Sequence, residues 1–281
     1  LGYDQRTSDG WAGYFVTPRI SSGNKAGTAT GNLHEAANGR YIVGSRGAKK
    51  KKSENTFIDL NYAFDNDRSL SYSYMHNSYR YSYHDPFTYI TKLDGTPTFD
   101  GIIHLSNKKY IKVTPADYLG YNGEREQDIH KLRYEDAKND FKMGVGYSDT
   151  SRDGYSSTGS ATSIDWTGAG GRTEYPNKNY NVDVQKKWQI KNHALLAGAA
   201  WMKDKMRYRS YNLANWKDWS SVVGAPTMQS GGAIVSTAFF LQDEIALDSR
   251  WRLQLGLRYD KFDKKDGYSY VGAVRKSYDE R

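Results

Sequence analysis

The chain has 281 residues, with 40 Lys and Arg against 32 Asp and Glu for a net charge of +8, 24 Tyr, 7 Trp and no Cys. The missing Cys excludes a disulfide scaffold and a thiolate metal site, and no apolar run approaches the roughly 20 residues that a membrane helix needs. A membrane β-barrel is not excluded, because it hides its apolar band in every second residue of its strands.

The first residues, Leu1-Gly2-Tyr3-Asp4-Gln5-Arg6, show no charged n-region followed by an apolar h-region, so no export signal is visible. They read as the inside of a longer chain or as a mature form, and residues 1 to 17 are expected to hold one partial strand with Trp11, Tyr14 and Phe15 near its end. Residues 18 to 54 are rich in Gly, Ser, Asn and Lys and read as a long loop that includes the run Lys49 to Lys52. Residues 55 to 64 place Ile58, Leu60, Tyr62 and Phe64 on one face, with Asp59, Asn61 and Ala63 on the other. Asp65-Asn66-Asp67-Arg68 is a turn by its residue chemistry. Residues 69 to 83 resume the alternation, with Leu70, Tyr72 and Tyr74 opposite Ser69, Ser71 and Ser73.

A second long loop is expected over residues 84 to 127. Then His130, Leu132 and Tyr134 alternate with Lys131, Arg133 and Glu135. After a turn near Asp136 to Asp140, Phe141, Met143, Val145 and Tyr147 alternate with Lys142, Gly144 and Gly146. A third loop, 148 to 178, precedes the strand with Tyr180, Val182, Val184 and Trp188 on one face and Asn181, Asp183, Gln185 and Lys187 on the other. A turn near Gln189 to Asn192 leads into Leu195, Ala197, Ala199 and Trp201, and a fourth loop is expected over 203 to 232. Two strands follow, joined at Asp248-Ser249-Arg250. In the second, Trp251, Leu253, Leu255, Leu257 and Tyr259 oppose Arg252, Gln254, Gly256, Arg258 and Asp260, a strict period of two. In the first, Asp243 shares the face of Phe239, Leu241, Ile245 and Leu247, and a bulge near Gln242 to Glu244 is one way to re-aim it.

Short turns and long loops alternate without exception. An outer-membrane barrel, with tight periplasmic turns and long external loops, has that asymmetry, whereas a soluble sandwich has no reason to sort its connections by end. Phe64, Tyr134, Phe141, Trp188 and Trp251 all lie beside short turns on the apolar face, where an aromatic girdle belongs. The expected fold is all-β: a transmembrane antiparallel β-barrel.

With these hairpins in place, the chain resembles the TonB-dependent receptors of the Gram-negative outer membrane. Residues 239 to 263 are similar to a recurrent hairpin of that family: Gln242-Asp243, a short turn, then a strand ending Gly256-x-Arg258-Tyr259-Asp260. Residues 193 to 201, leading into Lys203-Asp204, resemble the strand that precedes it, and Ser8-Asp9-Gly10-Trp11 resembles a tip found early in such barrels. The resemblance implies a barrel of 22 strands with an N-terminal plug and a box that couples to TonB. Neither plug nor box is found in this sequence. About nine strands are counted, and the small residues proposed for the lumen face (Gly144, Gly146, Ser69, Ser71, Ser73, Ala63, Gly198) are too small to fill an eight-stranded barrel. Residues 1 to 281 are therefore expected to be a partial segment of the receptor barrel.

No catalytic constellation is apparent. His34-Glu35-Ala36-Ala37-Asn38 has Asn38 where a zinc-protease helix needs its second His. Gly168-Ala169-Gly170-Gly171 lacks the strand and helix that flank a phosphate loop and reads as loop flexibility. Asp65-Asn66-Asp67 lacks the spaced Gly and Glu of a calcium loop, and no two His stand at ligand spacing. Neither an enzyme nor a resident cofactor nor a nucleic-acid partner is expected. What remains is a receptor surface: Arg80, Tyr81, Tyr83 and His84 where a strand enters the second loop, and Arg207, Arg209, Trp216 and Trp219 in the fourth. Arg with Tyr and Trp suits an anionic, aromatic-bearing ligand through charge and cation–π contacts. The resemblance implies active uptake of a ferric siderophore or similar iron complex, with TonB, membrane lipid and lipopolysaccharide as partners. Two alternatives stay open. One is a passive barrel, porin- or adhesin-like, and the other a haem receptor using His84 or His104.

Overall fold

The computed structural model describes residues 1–106, 108–271 and 274–278. Its main element is an antiparallel sheet of eleven strands. These are β1 (Gly2–Ser8), β2 (Ala48–Ala63), β3 (Arg68–His84), β4 (Asn122–Asp136), β5 (Phe141–Ser157), β6 (Gly170–Glu174), β7 (Asn177–Ile190), β8 (His193–Leu213), β9 (Val222–Ala246), β10 (Arg252–Val271) and β11 (Val274–Tyr278). Each strand pairs with its sequence neighbour in the sheet, and β6 and β7 share one lane between β5 and β8. That lane breaks at Tyr175-Pro176, where Pro has no N–H to give the ladder. Opposite the break, β5 is shifted against β4 between Glu126 and Gln127. Among the described residues the sheet is an open wall, with β1 and β11 at its ends.

All nine expected strands are present; eight run further than apolar alternation alone suggests, while the first ends at Ser8 instead of near Trp11, Tyr14 and Phe15, and Phe15–Val16 pairs in a separate sheet. The loop bounds 18–54, 84–127, 148–178 and 203–232 are corrected to the connections 9–47, 85–121, 158–169 and 214–221. Most of the extra strand residues are polar, and the few apolar ones among them do not alternate regularly, so they carry little apolar signal. The run Lys49 to Lys52, expected in a solvated loop, lies in β2 paired with the end of β3. The four short turns are where expected. Asp65 accepts from the backbone N–H groups of Asp67 and Arg68 at 3.0 and 2.8 Å. Asp248 does the same for Arg250 and Trp251 at 2.7 and 2.8 Å, the local bonding that makes Asp a turn residue. Asp140 and Lys191 take the left-handed conformation, with φ of 48° and 55°, in the other two.

Register turns alternation within strands into rows across them. Tyr62, Leu70, Tyr134, Met143, Val184, Ala199, Phe239 and Tyr259 follow one another as cross-strand partners over eight strands. One residue along, Asn61, Ser71, Arg133, Gly144, Asp183, Ala200, Ala238 and Asp260 form the matching row on the opposite face. The first face therefore carries a continuous apolar band, and nothing among the described residues covers it: Leu60 is 60% exposed, Phe239 56% and Leu257 75%. An apolar surface of that extent is not sustained in water and needs lipid. Among the described residues no helix is long and apolar enough to cross a membrane. The strands do the crossing.

Towards the long-connection end the band closes on a second aromatic row, Tyr74, His130, Tyr147 and Tyr180. One pair further stands an ionic row, His76, Asp128, Asp149 and Lys178. The aromatic girdle expected at the short turns thus has a counterpart at the other border. Asp243 stays on the apolar face, because neither β8 nor β10 shifts register beside it. Instead of a bulge it has a partner: His193 Nδ1 lies 2.7 Å from its Oδ2.

Candidate functional site

At the long-connection end the first two loops are not loose. They build a small unit of a five-stranded sheet (Ile90–Lys92, Ala29–Gly31, Gly101–Leu105, Lys109–Val113, Ile20–Ser22), a three-stranded sheet (Phe87–Thr88, Gly44–Ser45, Phe15–Val16) and one turn of helix, α1 (Pro115–Tyr118). Val16, Val43, Ile90, Ile103, Ile111, Val113 and Tyr118 are its buried core. Thr114 closes the start of α1 by donating its N–H and hydroxyl to Asp117 Oδ2 at 2.8 and 2.9 Å. The Tyr118 hydroxyl donates to the Val43 carbonyl at 3.0 Å, and burial pushes this phenol up to about 12.

The last two long connections also meet. Trp216 donates its backbone N–H to the Gly168 carbonyl at 3.1 Å and its indole N–H to the Trp166 carbonyl at 2.8 Å. Asp218, in the same connection, is held below the usual carboxylate range by the Ser220 hydroxyl and backbone N–H.

Between these two assemblies, over the ends of β2, β3 and β4, lies a cavity of about 980 Å³. Arg80, Tyr81, Tyr83 and His84 from β3 line it together with Trp216 and Trp219, more than 130 residues away in sequence. Six of the eight expected site residues therefore come together. Arg207 and Arg209 do not. They lie inside β8, not in a loop, and they are not among the lining residues. Alternation also splits β3: Tyr81 and Tyr83 belong to the polar face, Arg80 and His84 to the other.

The cavity wall carries Arg46, Lys50, Lys51, Lys52, Arg80 and Lys217 against Asp9, Asp85, Glu124 and Asp165. Arg80 and Arg152 share Glu124, at 3.8 and 3.2 Å, so Arg80 keeps only part of its charge for a ligand. His84 Nε2 lies 2.7 Å from the Ser82 hydroxyl, whereas His104 lies in the small unit away from the cavity lining. Beside the cavity, Lys49 Nζ stands 3.9 Å from the centre of the Tyr81 ring, with the rings of Tyr14 and Tyr83 at 5.5 and 5.6 Å. The site offers positive charge and aromatic surface. Among the described residues no cluster of His, Asp and Glu is suited to a metal ion.

Two contributors carry no local signal. Arg46 stacks over Tyr121 at 5.6 Å, and Arg172 lies against Tyr211 and Trp219 at 4.6 and 5.6 Å. Extending the alternation of β2 backwards through polar residues would have found Lys50 and Lys52. Nothing near Arg172 in sequence marks it. Gly170 and Gly171, expected to be flexible loop, open strand β6. On the polar face a second depression of about 510 Å³ is lined by Gly144 and Gly146 together with Asn181 and Asp183, whose side chains reach over the two glycines.

A family model described as TonB dependent receptor-like, beta-barrel matches residues 86–280. No curated protein and no solved structure matches the chain. The family match covers β4 to β11, with their apolar face, paired aromatic borders and alternating connections; the chain belongs to the TonB-dependent receptor-like β-barrel family of outer-membrane transport receptors.

Proposed function

We propose that this barrel wall serves active uptake of an anionic, aromatic-bearing iron complex of the ferric siderophore class, captured at the cavity over β2 to β4. The observation that carries the reading is the meeting of Arg80, Tyr81, Tyr83 and His84 with Trp216 and Trp219 in one cationic cavity at the long-connection end. A positive mouth raises the local concentration of anions, and flat rings stack against an aromatic chelator or its metal-bound face. The long connections face the exterior in this reading, and TonB supplies the energy for uptake. Arg207 and Arg209 contribute long-range attraction and no direct contact.

Haem is the second reading, because His84 lines the same cavity and imidazole is an axial ligand for haem iron. Equilibrium binding of iron(III) tris-catecholate, iron(III) tris-hydroxamate and haem to the purified receptor separates these readings from a passive barrel. Arg80→Ala and Trp219→Ala should each weaken siderophore-type binding roughly 3- to 30-fold, the range of a desolvated cation or ring contact. The charge variant should lose its effect at high salt. Loss of haem binding in His84→Ala, with the iron chelates unaffected, would move the assignment to haem. Binding of none of the three leaves the passive barrel.

A further inference from the structure

We infer that strand β6 is the seat that fixes the Trp216–Trp219 segment as a wall of the cavity, and that Arg172 is a positioning residue for its ligand. This rests on the reading of the cavity as a ligand site. Residues 214–221 close on themselves. Ala214 N–H donates to the Ser221 carbonyl at 2.8 Å, and the Ser221 hydroxyl lies 2.8 and 2.7 Å from the carbonyls of Asn215 and Asp218. A segment so closed keeps its own shape, and its orientation is set from outside.

Two residues of β6 set it. At Gly170 a Cβ would overlap the Trp216 Cβ and the Ser157 carbonyl, so only glycine leaves room for Trp216 to sit down. Trp216 is 3% exposed there. Two residues on, Arg172 donates from Nη1 to the Trp219 carbonyl and lays its guanidinium over the Trp219 and Tyr211 rings. Its Nε is 3.0 Å from Glu174 Oε1, with both side chains largely buried. Arg172 lies outside the cavity lining, while Trp216, Lys217 and Trp219 are part of it. Its action on a ligand is therefore through the Trp216–Trp219 segment, which it holds at Trp219.

Neutralising Arg172 removes the carbonyl donor and the cation under Trp219 and leaves Glu174 without its partner, so residues 214–221 come off the seat. Lysine keeps a cation near the rings but lacks the planar fork. The test compares Arg172→Gln, Arg172→Lys, Trp219→Ala and the Arg172→Gln/Trp219→Ala double variant in the purified receptor, with iron(III) tris-catecholate as probe. Arg172→Gln and Trp219→Ala should each raise Kd about tenfold, and the double variant by clearly less than the roughly hundredfold of independent changes, because both act through the Trp216–Trp219 segment. Arg172→Lys should recover part of the loss. Without ligand, amide hydrogen exchange in 214–221 should speed up in Arg172→Gln and not in Trp219→Ala.

Additive losses in the double variant, or unchanged exchange in Arg172→Gln, would overturn the inference. If wild-type protein binds no iron chelate, the uptake reading falls and takes the ligand role of Arg172 with it. The exchange measurement then decides the seat alone.

Discussion

His193 and Asp243 are diagonal neighbours on β8 and β9, with Nδ1 and Oδ2 2.7 Å apart on the apolar face. The pair stands at the short-turn end, where Asn192 and Ala246 close the adjoining connection. A carboxylate there is tolerated because its partner is at hand and the interface is near. His193→Leu should cost about 1–3 kcal/mol, since it strands a charged acceptor. His193→Leu/Asp243→Leu should recover most of that, because an apolar pair suits the surface at least as well. Urea unfolding of the detergent-solubilised barrel measures both. Wild-type stability in the single variant would mean that Asp243 does not need His193.

The two faces give the second prediction. Spin labels at Leu60, Val184 and Leu255 should report contact with oxygen dissolved in lipid, and labels at Asn61, Asp183 and Gln254 contact with an aqueous quencher. The labelled pairs lie on strands β2, β7 and β10, so one misplaced strand cannot mimic the result. Leu255→Arg should destabilise the barrel by about 2–4 kcal/mol if the residue sits near the midplane. Equal accessibility of the two sets would remove the membrane assignment.

Sidedness is a separate matter. The connections 9–47, 85–121, 158–169 and 214–221 leave one edge of the sheet, and the turns at 64–67, 137–140, 191–192 and 247–251 leave the other. An epitope tag at Gly159, where no atom crowds the backbone, should label on intact cells, and one at Asn66 should not. The reverse pattern would invert the topology and put the cavity on the periplasmic side.

The small unit carries a pH signature. Tyr118 titrates near 12 in the folded unit because burial disfavours its phenolate, against an unfolded value of 10.0. A raised folded value means that its contribution to stability is complete below pH 10 and is lost as pH rises towards 12. Near-ultraviolet circular dichroism should show a transition in that window that Tyr118→Phe moves or removes. The hydroxyl bond to Val43 is lost in that variant, so it should also be less stable at pH 7, by about 0.5–1.5 kcal/mol. An unshifted alkaline transition would show that another group drives it.

The period-two pattern and the acidic turns are legible in the sequence because both are local. A strand's neighbours two residues away decide its faces, and Asp65 and Asp248 bond to amides two and three residues on. From that follow the strand centres, the four short turns and the apolar face, including the membrane solvent that such a face requires. Where polar residues dominate both faces, as from Lys49 to Asn55 or from Lys203 to Asn212, alternation has too few apolar residues to mark it, and strand reads as loop. That is why Lys49 to Lys52, Arg207 and Arg209 were expected in loops and are in strands.

What the tertiary structure decided is long-range. Cross-strand register aligned the rows and left Asp243 unbulged beside His193. The folding of two distant connections on one core, the meeting of β3 with the Trp216–Trp219 segment, and the seat formed by Gly170 and Arg172 depend on partners far away in the chain. A glycine admitted for its flexibility and a glycine required for a close approach look the same in a sequence; only the tryptophan packed against Gly170 tells them apart.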